Sequence, residues 1–214
     1  MRYLIVCGGK IDKEFGLNEI KTDGIDVIIA ADSGMDFLYE NGVTPDIIVG
    51  DFDSTTTNAL EYFERKGQTE IRRLNPIKDD TDTEYAIRLA ISEGAQSIVL
   101  LGATGSRIDH VLGNISLLGI GLESGTDISI IDTNNRIRMA DKPVTIEKSA
   151  QYGRFVSLIA LTDDNEVSLK GFKYPVTDYS FDRFTSLGIS NEIVDDHALI
   201  DIHRGKFIII ESKD

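Results

Sequence analysis

Two aspartates stand two residues apart in Gly50-Asp51-Phe52-Asp53-Ser54, directly after an apolar run at 47–49. If a strand continues through Phe52, side-chain alternation puts both carboxylates on one side. Carboxylates held that close repel unless a divalent cation lies beside them. Mg²⁺ takes hard oxygen ligands, commonly one or two carboxylates together with substrate phosphates. Asp82 falls in the first turn of a helix opening at Thr81 and can reach the same strand ends. The alternative is a polar turn that happens to carry two acids. Asp79, Asp80 and Glu84 have a simpler role, because acids near a helix N-terminus are favoured by its dipole.

A second group is Gly102-Ala103-Thr104-Gly105-Ser106-Arg107, between an apolar run and a helical segment. Such a loop can bring backbone N–H groups and a helix N-terminus up to a phosphate. It lacks the Gly-Lys-Ser/Thr ending of a P-loop. Arg107 supplies positive charge instead, since a guanidinium grips phosphate oxygens bidentately, and Asp109 could hold it in place. His110 and Asn114 are four apart and share a helix face. A lone histidine there serves either structure or ligand. Gly8-Gly9 reads equally as a turn or as a further close approach to a ligand.

The elements that must position these groups follow from the apolar pattern. Continuous runs at 4–6, 27–31, 47–49 and 98–101 each end in glycine or acidic residues. Strands of that kind are buried on both faces, as in a parallel sheet. Asp80-Thr81 caps a helix containing Ala86, Ile87, Leu89, Ala90 and Ile91, with Gly94 as its stop. Residues 108–120 form another, with Val111, Leu112, Ile115 and Leu118 as its apolar stripe. Alternating strand and helix predict an open α/β sheet, whose ligands bind at the carboxyl ends of the strands. From about Asp127 the period shortens. Runs at 128–131, 137–139, 144–146, 155–161, 167–169 and 198–202 read as closely spaced strands. His203-Arg204-Gly205-Lys206 reads as a hairpin turn into 207–210. We expect an α/β domain over 1–125 and an all-β sandwich, jelly-roll-like, over 126–214.

Bulk properties narrow the function. The net charge of −14, with no basic stripe, argues against nucleic acid and anionic membranes as partners. No apolar stretch reaches the length of a membrane span, and the N-terminal run reads as a strand rather than a signal core. Cys7 is the sole cysteine, so an intramolecular disulfide is excluded. A buried, inert thiol in a reducing, cytoplasmic compartment is expected.

Five short motifs occur in order: Ala31-Asp32-Ser33-Gly34; Gly50-Asp51-Phe52-Asp53-Ser54; Lys78-Asp79-Asp80-Thr81-Asp82; Gly102-x-x-Gly105-x-Arg107-x-Asp109-His110; and Gly171-Phe172-Lys173-Tyr174-Pro175 followed by Gly188-Ile189-Ser190-Asn191-Glu192. Together they resemble the thiamine pyrophosphokinase family of bacterial type. Tyr174 stands where some relatives have tryptophan.

The resemblance implies transfer of a pyrophosphoryl group from ATP to the thiamine hydroxyl, giving thiamine diphosphate and AMP. It implies Mg²⁺ on Asp51, Asp53 and Asp82. Asp32, Lys78, Arg107 and Asp109 would surround the triphosphate and reacting centre, with Gly34, Thr81, Gly102, Gly105 and His110 completing the ATP site. Tyr174, Ser190 and Asn191 would meet thiamine. A homodimer with active sites at the subunit interface is also implied. Either Asp32 or a metal-lowered hydroxyl pKa would supply the base. Two other readings stand beside this one. One is a haloacid-dehalogenase-type phosphatase with Asp51 as nucleophile, and the other a non-catalytic thiamine or nucleotide sensor.

Overall fold

The computed structural model describes residues 1–52, 58–75 and 80–214. They form two compact units, Met1–Thr133 and Asn134–Asp214.

The first unit is built on β1 (Arg2–Val6), β2 (Val27–Ala31), β3 (Ile47–Gly50), β4 (Glu70–Arg73), β5 (Ser97–Leu101) and β6 (Asp127–Ile131). Its helices are α1 (Lys13–Ile20), α2 (Gly34–Glu40), α3 (Ala59–Lys66), α4 (Asp82–Ser92) and α5 (Ile108–Ser124). Every pairing in this sheet is parallel, in the order β6-β5-β1-β2-β3-β4. The chain therefore runs outward from β1 to β4, then returns to the other side of β1 with β5. That reversal leaves a crevice beyond the carboxyl ends of β1 and β5, where crossovers leave in opposite directions.

Alternation divides each strand between two covered faces. Leu4 and Val6 of β1 pack with Met35 and Leu38 of α2 and with Ala59 and Phe63 of α3. Tyr3 and Ile5 are equally buried on the other side. Ala86, Ile87 and Ala90 give α4 its buried face, and the helix packs on β1, β2 and β3. The Thr81 hydroxyl caps α4 by accepting from the Glu84 N–H at 3.2 Å, as the sequence predicted. The stripe expected on α5 is only partly covered. Leu118 is buried, but Ile108 and Leu112 are 66% and 60% exposed, because the helix meets the unit mainly through its second half.

The second unit contains β7 (Asn135–Ala140), β8 (Val144–Glu147), β9 (Phe155–Ala160), β10 (Glu166–Lys170), β11 (Val176–Ser180), β12 (Asn191–Glu192), β13 (His197–Arg204) and β14 (Phe207–Ser212). All its pairings are antiparallel, in two sheets ordered β12-β9-β14-β7 and β11-β10-β13-β8. Val156, Leu158, Phe207 and Ile209 of one sheet share a core with Val167, Leu169, Ile200 and Ile202 of the other. This is an antiparallel β-sandwich.

The first unit runs to Thr133, because β6 pairs in parallel with β5 and extends that sheet. One sequence expectation is corrected here. The turn at 203–206 is not a hairpin. β13 pairs with β10 and β8, whereas β14 pairs with β7 and β9, so the turn carries the chain from one sheet to the other. Gly205, at φ +89°, is pressed against Thr162, Asp164 and Asn165, leaving no room for a Cβ.

Candidate active site

The strand-end phrases after β1, β2 and β5 converge on a cavity of about 800 Å³. It is lined by the loop after β1 (Cys7 to Lys10), by Asp32 and Ser33 after β2, by the first turn of α4, and by the loop from β5 into α5. This is the crevice created by the reversal of strand order.

Its metal-binding potential comes from three carboxylates. Asp32, Asp51 and Asp82 each offer an oxygen, and these atoms all lie within 4.8 Å of one another. Each arrives by a different local device. Asp32 ends β2 in a left-handed conformation, φ +48°, with its N–H donated to the Val49 carbonyl at 2.7 Å. Asp82 is the first helical residue of α4. The Thr83 hydroxyl approaches Cys7 Sγ at 3.7 Å, which ties that turn to the end of β1. Asp51 follows β3, but the strand stops at Gly50 and Phe52 adopts φ +64°. The alternation assumed across Phe52 therefore does not hold. Phe52 instead turns into the core beside Met35 and Phe63. Three hard oxygen donors of like charge at this spacing fit a divalent cation such as Mg²⁺. Asp53 and Lys78 lie outside the described residues. Asp46, in the same acidic stretch of sequence, stands at the amino end of β3, where its carboxylate accepts from the Ile28 N–H at 2.7 Å.

The opposite wall is a loop pinned from three directions. Gly102 takes φ +72°, and its carbonyl accepts from the Gly9 N–H at 2.8 Å. Asn114 of α5 donates to the Ala103 carbonyl at 2.7 Å. The Thr104 hydroxyl donates to Asp132, beyond the end of β6, at 2.9 Å. A Cβ on Gly9 would overlap the carbonyl oxygens of Gly102 and Thr104, and one on Gly8 would overlap the Ser33 hydroxyl. Gly105 has no such restriction: a Cβ there would meet only ordinary contacts. Gly34 does not line the cavity. It lets α2 approach β1, where a Cβ would overlap the Val6 carbonyl.

Arg107 precedes α5 and donates to Asp109 through Nε at 3.2 Å and a terminal nitrogen at 2.6 Å. Both side chains are about two-thirds exposed, at 69% and 66%, so a ligand can reach them. The hydrogen bond from Arg107 is the main cause that lowers the Asp109 carboxyl from 3.8 to about 2. His110 lines the same wall. Cys7 forms part of the floor, and burial pushes its thiol up to about 11 against the opposing effect of the Thr83 hydroxyl. It is a poor nucleophile there.

In the second unit, Tyr174 is 63% exposed, but Asn191 is not available in the same way. Its amide nitrogen donates to the Tyr174 carbonyl at 2.9 Å. Its amide oxygen accepts from the N–H groups of Tyr174 at 3.1 Å and Glu192 at 2.9 Å. Asn191 therefore clamps the turn that presents Tyr174. Ser190 takes φ +61° and donates its N–H to the Ser157 hydroxyl at 3.0 Å, which leaves its own hydroxyl uncommitted to that bond. Lys173 and Arg154 both pair with Glu192, at 2.9 and 2.8 Å, and lower its carboxyl in that order. Sequence reasoning missed Lys10, Thr83 and the Thr104–Asp132 bond. Lys10 alone had a signal, as the cation ending the Gly8-Gly9 strand-end phrase.

Two family models match the chain. "Thiamin pyrophosphokinase, catalytic domain" covers residues 21–130, and "Thiamin pyrophosphokinase, vitamin B1 binding domain" covers 143–207. The thiamine pyrophosphokinase of Bacillus subtilis is 34% identical over 195 residues, 90% of each chain. A crystal structure of the Bacillus subtilis enzyme superposes with a TM-score of 0.89 at 32% identity, covering both chains completely. That of Geobacillus thermodenitrificans gives 0.87 at 29% identity, covering 100% of this chain and 98% of the other. Strand order, crevice, carboxylates and glycine loop thus coincide with the sequence matches, and the chain belongs to the thiamine pyrophosphokinase family.

Proposed function

We propose that this protein transfers the pyrophosphoryl group of ATP to the hydroxyl of thiamine. The thiamine oxygen forms a bond to the β-phosphorus, the bridge to the α-phosphate breaks, and AMP leaves with that bridging oxygen. The observation that carries this reading is the set of three carboxylates facing a pinned glycine loop at the sheet's reversal point. Phosphoryl-type transfer needs little covalent help from a protein; positioning and charge neutralisation do most of the work.

Asp32, Asp51 and Asp82 would hold Mg²⁺. The ion, when bound, neutralises phosphate charge and lowers the pKa of a nearby hydroxyl. The 102–107 loop, fixed by Gly9, Asn114 and Asp132, offers N–H groups in a prearranged geometry. Arg107, oriented by Asp109, would contact phosphate oxygens, with Thr81 and His110 nearby on the cavity wall. Asp32 is also a candidate to accept the hydroxyl proton. Tyr174 and Ser190 would meet thiamine, with Asn191 holding the turn in shape.

The activity is tested by mixing protein, Mg²⁺, ATP and thiamine and identifying the nucleotide product. AMP in step with thiamine diphosphate is expected. Phosphate release without ATP consumption would favour the phosphatase with Asp51 as nucleophile, and binding without turnover the sensor. A homodimer with active sites at the subunit interface belongs to the same proposal. Refolding an Asp51→Asn chain with a Ser190-altered chain, each inactive alone, should then restore activity in hybrid dimers. Failure despite proven hybrids would assign both sets to one subunit.

A further inference from the structure

A nucleoside triphosphate carries several negative charges into a cavity that is itself acidic. Asp32, Asp82, Glu84 and Asp109 line it, against Lys10 and Arg107 as permanent cations. Arg107 is already engaged by Asp109 at 2.6 Å. Lys10 is exposed and makes no ion pair among the described residues. It is the cation whose charge is left for a ligand.

The backbone that carries Lys10 is fixed on both sides. The Cys7 and Gly9 N–H groups donate to the Leu101 and Gly102 carbonyls at 2.7 and 2.8 Å, so the segment extends the β1–β5 pairing beyond the strands. Gly8 lies against Ser33 and Gly9 against Gly102 and Thr104, with no space for side chains. Beyond Lys10, Ile11 packs against the core, and Asp12 caps α1 by accepting from the Phe15 N–H at 2.9 Å. The Lys10 backbone nitrogen also lies beside Gly105, since a Cβ there would stand 3.8 Å from it. The 8–10 and 102–107 segments therefore form one cradle, with Lys10 at its lip and a flexible four-carbon stem to span the remaining distance.

We propose that Lys10 binds the phosphate chain of the nucleotide and favours nucleotides with more phosphates over AMP. This rests on the reading that the cavity accepts ATP. An ammonium on a mobile stem is a point charge suited to a chain of phosphates, without the geometric demands of a guanidinium.

The test uses the full chain with Mg²⁺ and α,β-methylene-ATP, whose scissile bridge cannot break, and calorimetric titration. Lys10→Met keeps the stem and removes the charge. It should weaken binding of the analogue about tenfold while AMP affinity stays within about twofold. Lys10→Arg should recover most of the loss, and the thermal midpoint of both variants should match the parent. Equal affinity of the Met variant and the parent for the analogue would overturn the assignment, as would an equal loss toward AMP. In either case AMP formation by the parent chain would leave the ATP reading intact. A parent that binds neither nucleotide would overturn both.

Discussion

The two units use polar side chains in opposite ways. In the first, polar groups gather where backbone ends: three carboxylates at strand and helix termini approach within 4.8 Å, around a loop kept in place by Gly9, Asn114 and Asp132. In the second, polar groups turn back onto their own chain. Asn191 spends both ends of its amide on Tyr174 and Glu192. Glu211, completely buried, accepts from Arg136 twice, from Arg138 and from the Tyr152 N–H. A parallel sheet supplies a common edge at which side chains from separate strands meet, whereas a sandwich must satisfy the turns that link its two sheets. The same residue type thus carries different consequences in each unit, chemistry in one and shape in the other.

That contrast is testable by separating turnover from stability. The largest effect is expected from Asp51→Asn. Turnover should fall by at least about a hundredfold, roughly 3 kcal/mol of barrier. The metal-free protein should resist urea as well as before, or better, because like charges no longer face each other. Mg²⁺ should stabilise the parent in thermal melts but not this variant. Near-normal turnover would remove Asp51 from the reacting centre.

Asn191→Ala should behave in the other way. It leaves three backbone groups without their partner and should cost about 2 kcal/mol in a urea titration. Thiamine KM should rise as the Tyr174 turn loosens, with ATP KM little changed. A fully stable variant with lost turnover would return Asn191 to direct ligand contact. Arg107→Lys comes next: charge is kept but the fork is lost, and kcat/KM for ATP should drop about tenfold, near 1.4 kcal/mol. Its urea midpoint should not move, because the ion pair is exposed.

The smallest effect concerns pH. The Asp109 carboxyl is lower in the folded chain, about 2, than its ordinary 3.8. A depressed carboxyl stabilises the fold above the ordinary value, and that contribution is lost as pH falls from about 4 toward 2. Asp109→Asn should therefore lower stability slightly at neutral pH, and its difference from the parent should shrink as pH falls through that window. A difference that persists undiminished near pH 2 would assign Asp109 a structural role of another kind.

Much of the first unit was legible because each apolar run ended in residues that a core has no use for. Thr81 and Gly94 bounded α4 through chemistry that does not depend on distant contacts. Asp32 was harder. Only its left-handed turn brings its carboxylate to Asp51 and Asp82, and no periodicity encodes that rotation. Phe52 misled for the same reason, since alternation presumes extended backbone. In the second unit, period-two patterns located most strands but not their partners. Gly205 suits a hairpin and a sheet-crossing turn equally, and the choice is made by the 162–165 segment packed against it. The polar strands β4 and β11 offered no apolar pattern at all.

The buried sulfur at the end of β1 makes the protein its own clock. Cys7 is the sole thiol in the chain and is 3% exposed at the base of the crevice. A disulfide reagent can reach it only when that edge of the sheet opens, so with excess reagent the labelling rate reads the frequency of opening. Any compound held by the closed crevice must slow the reaction in proportion to its occupancy. Absorbance from a single reacting group would then rank substrates, metals and inhibitors without a coupled assay or an added dye.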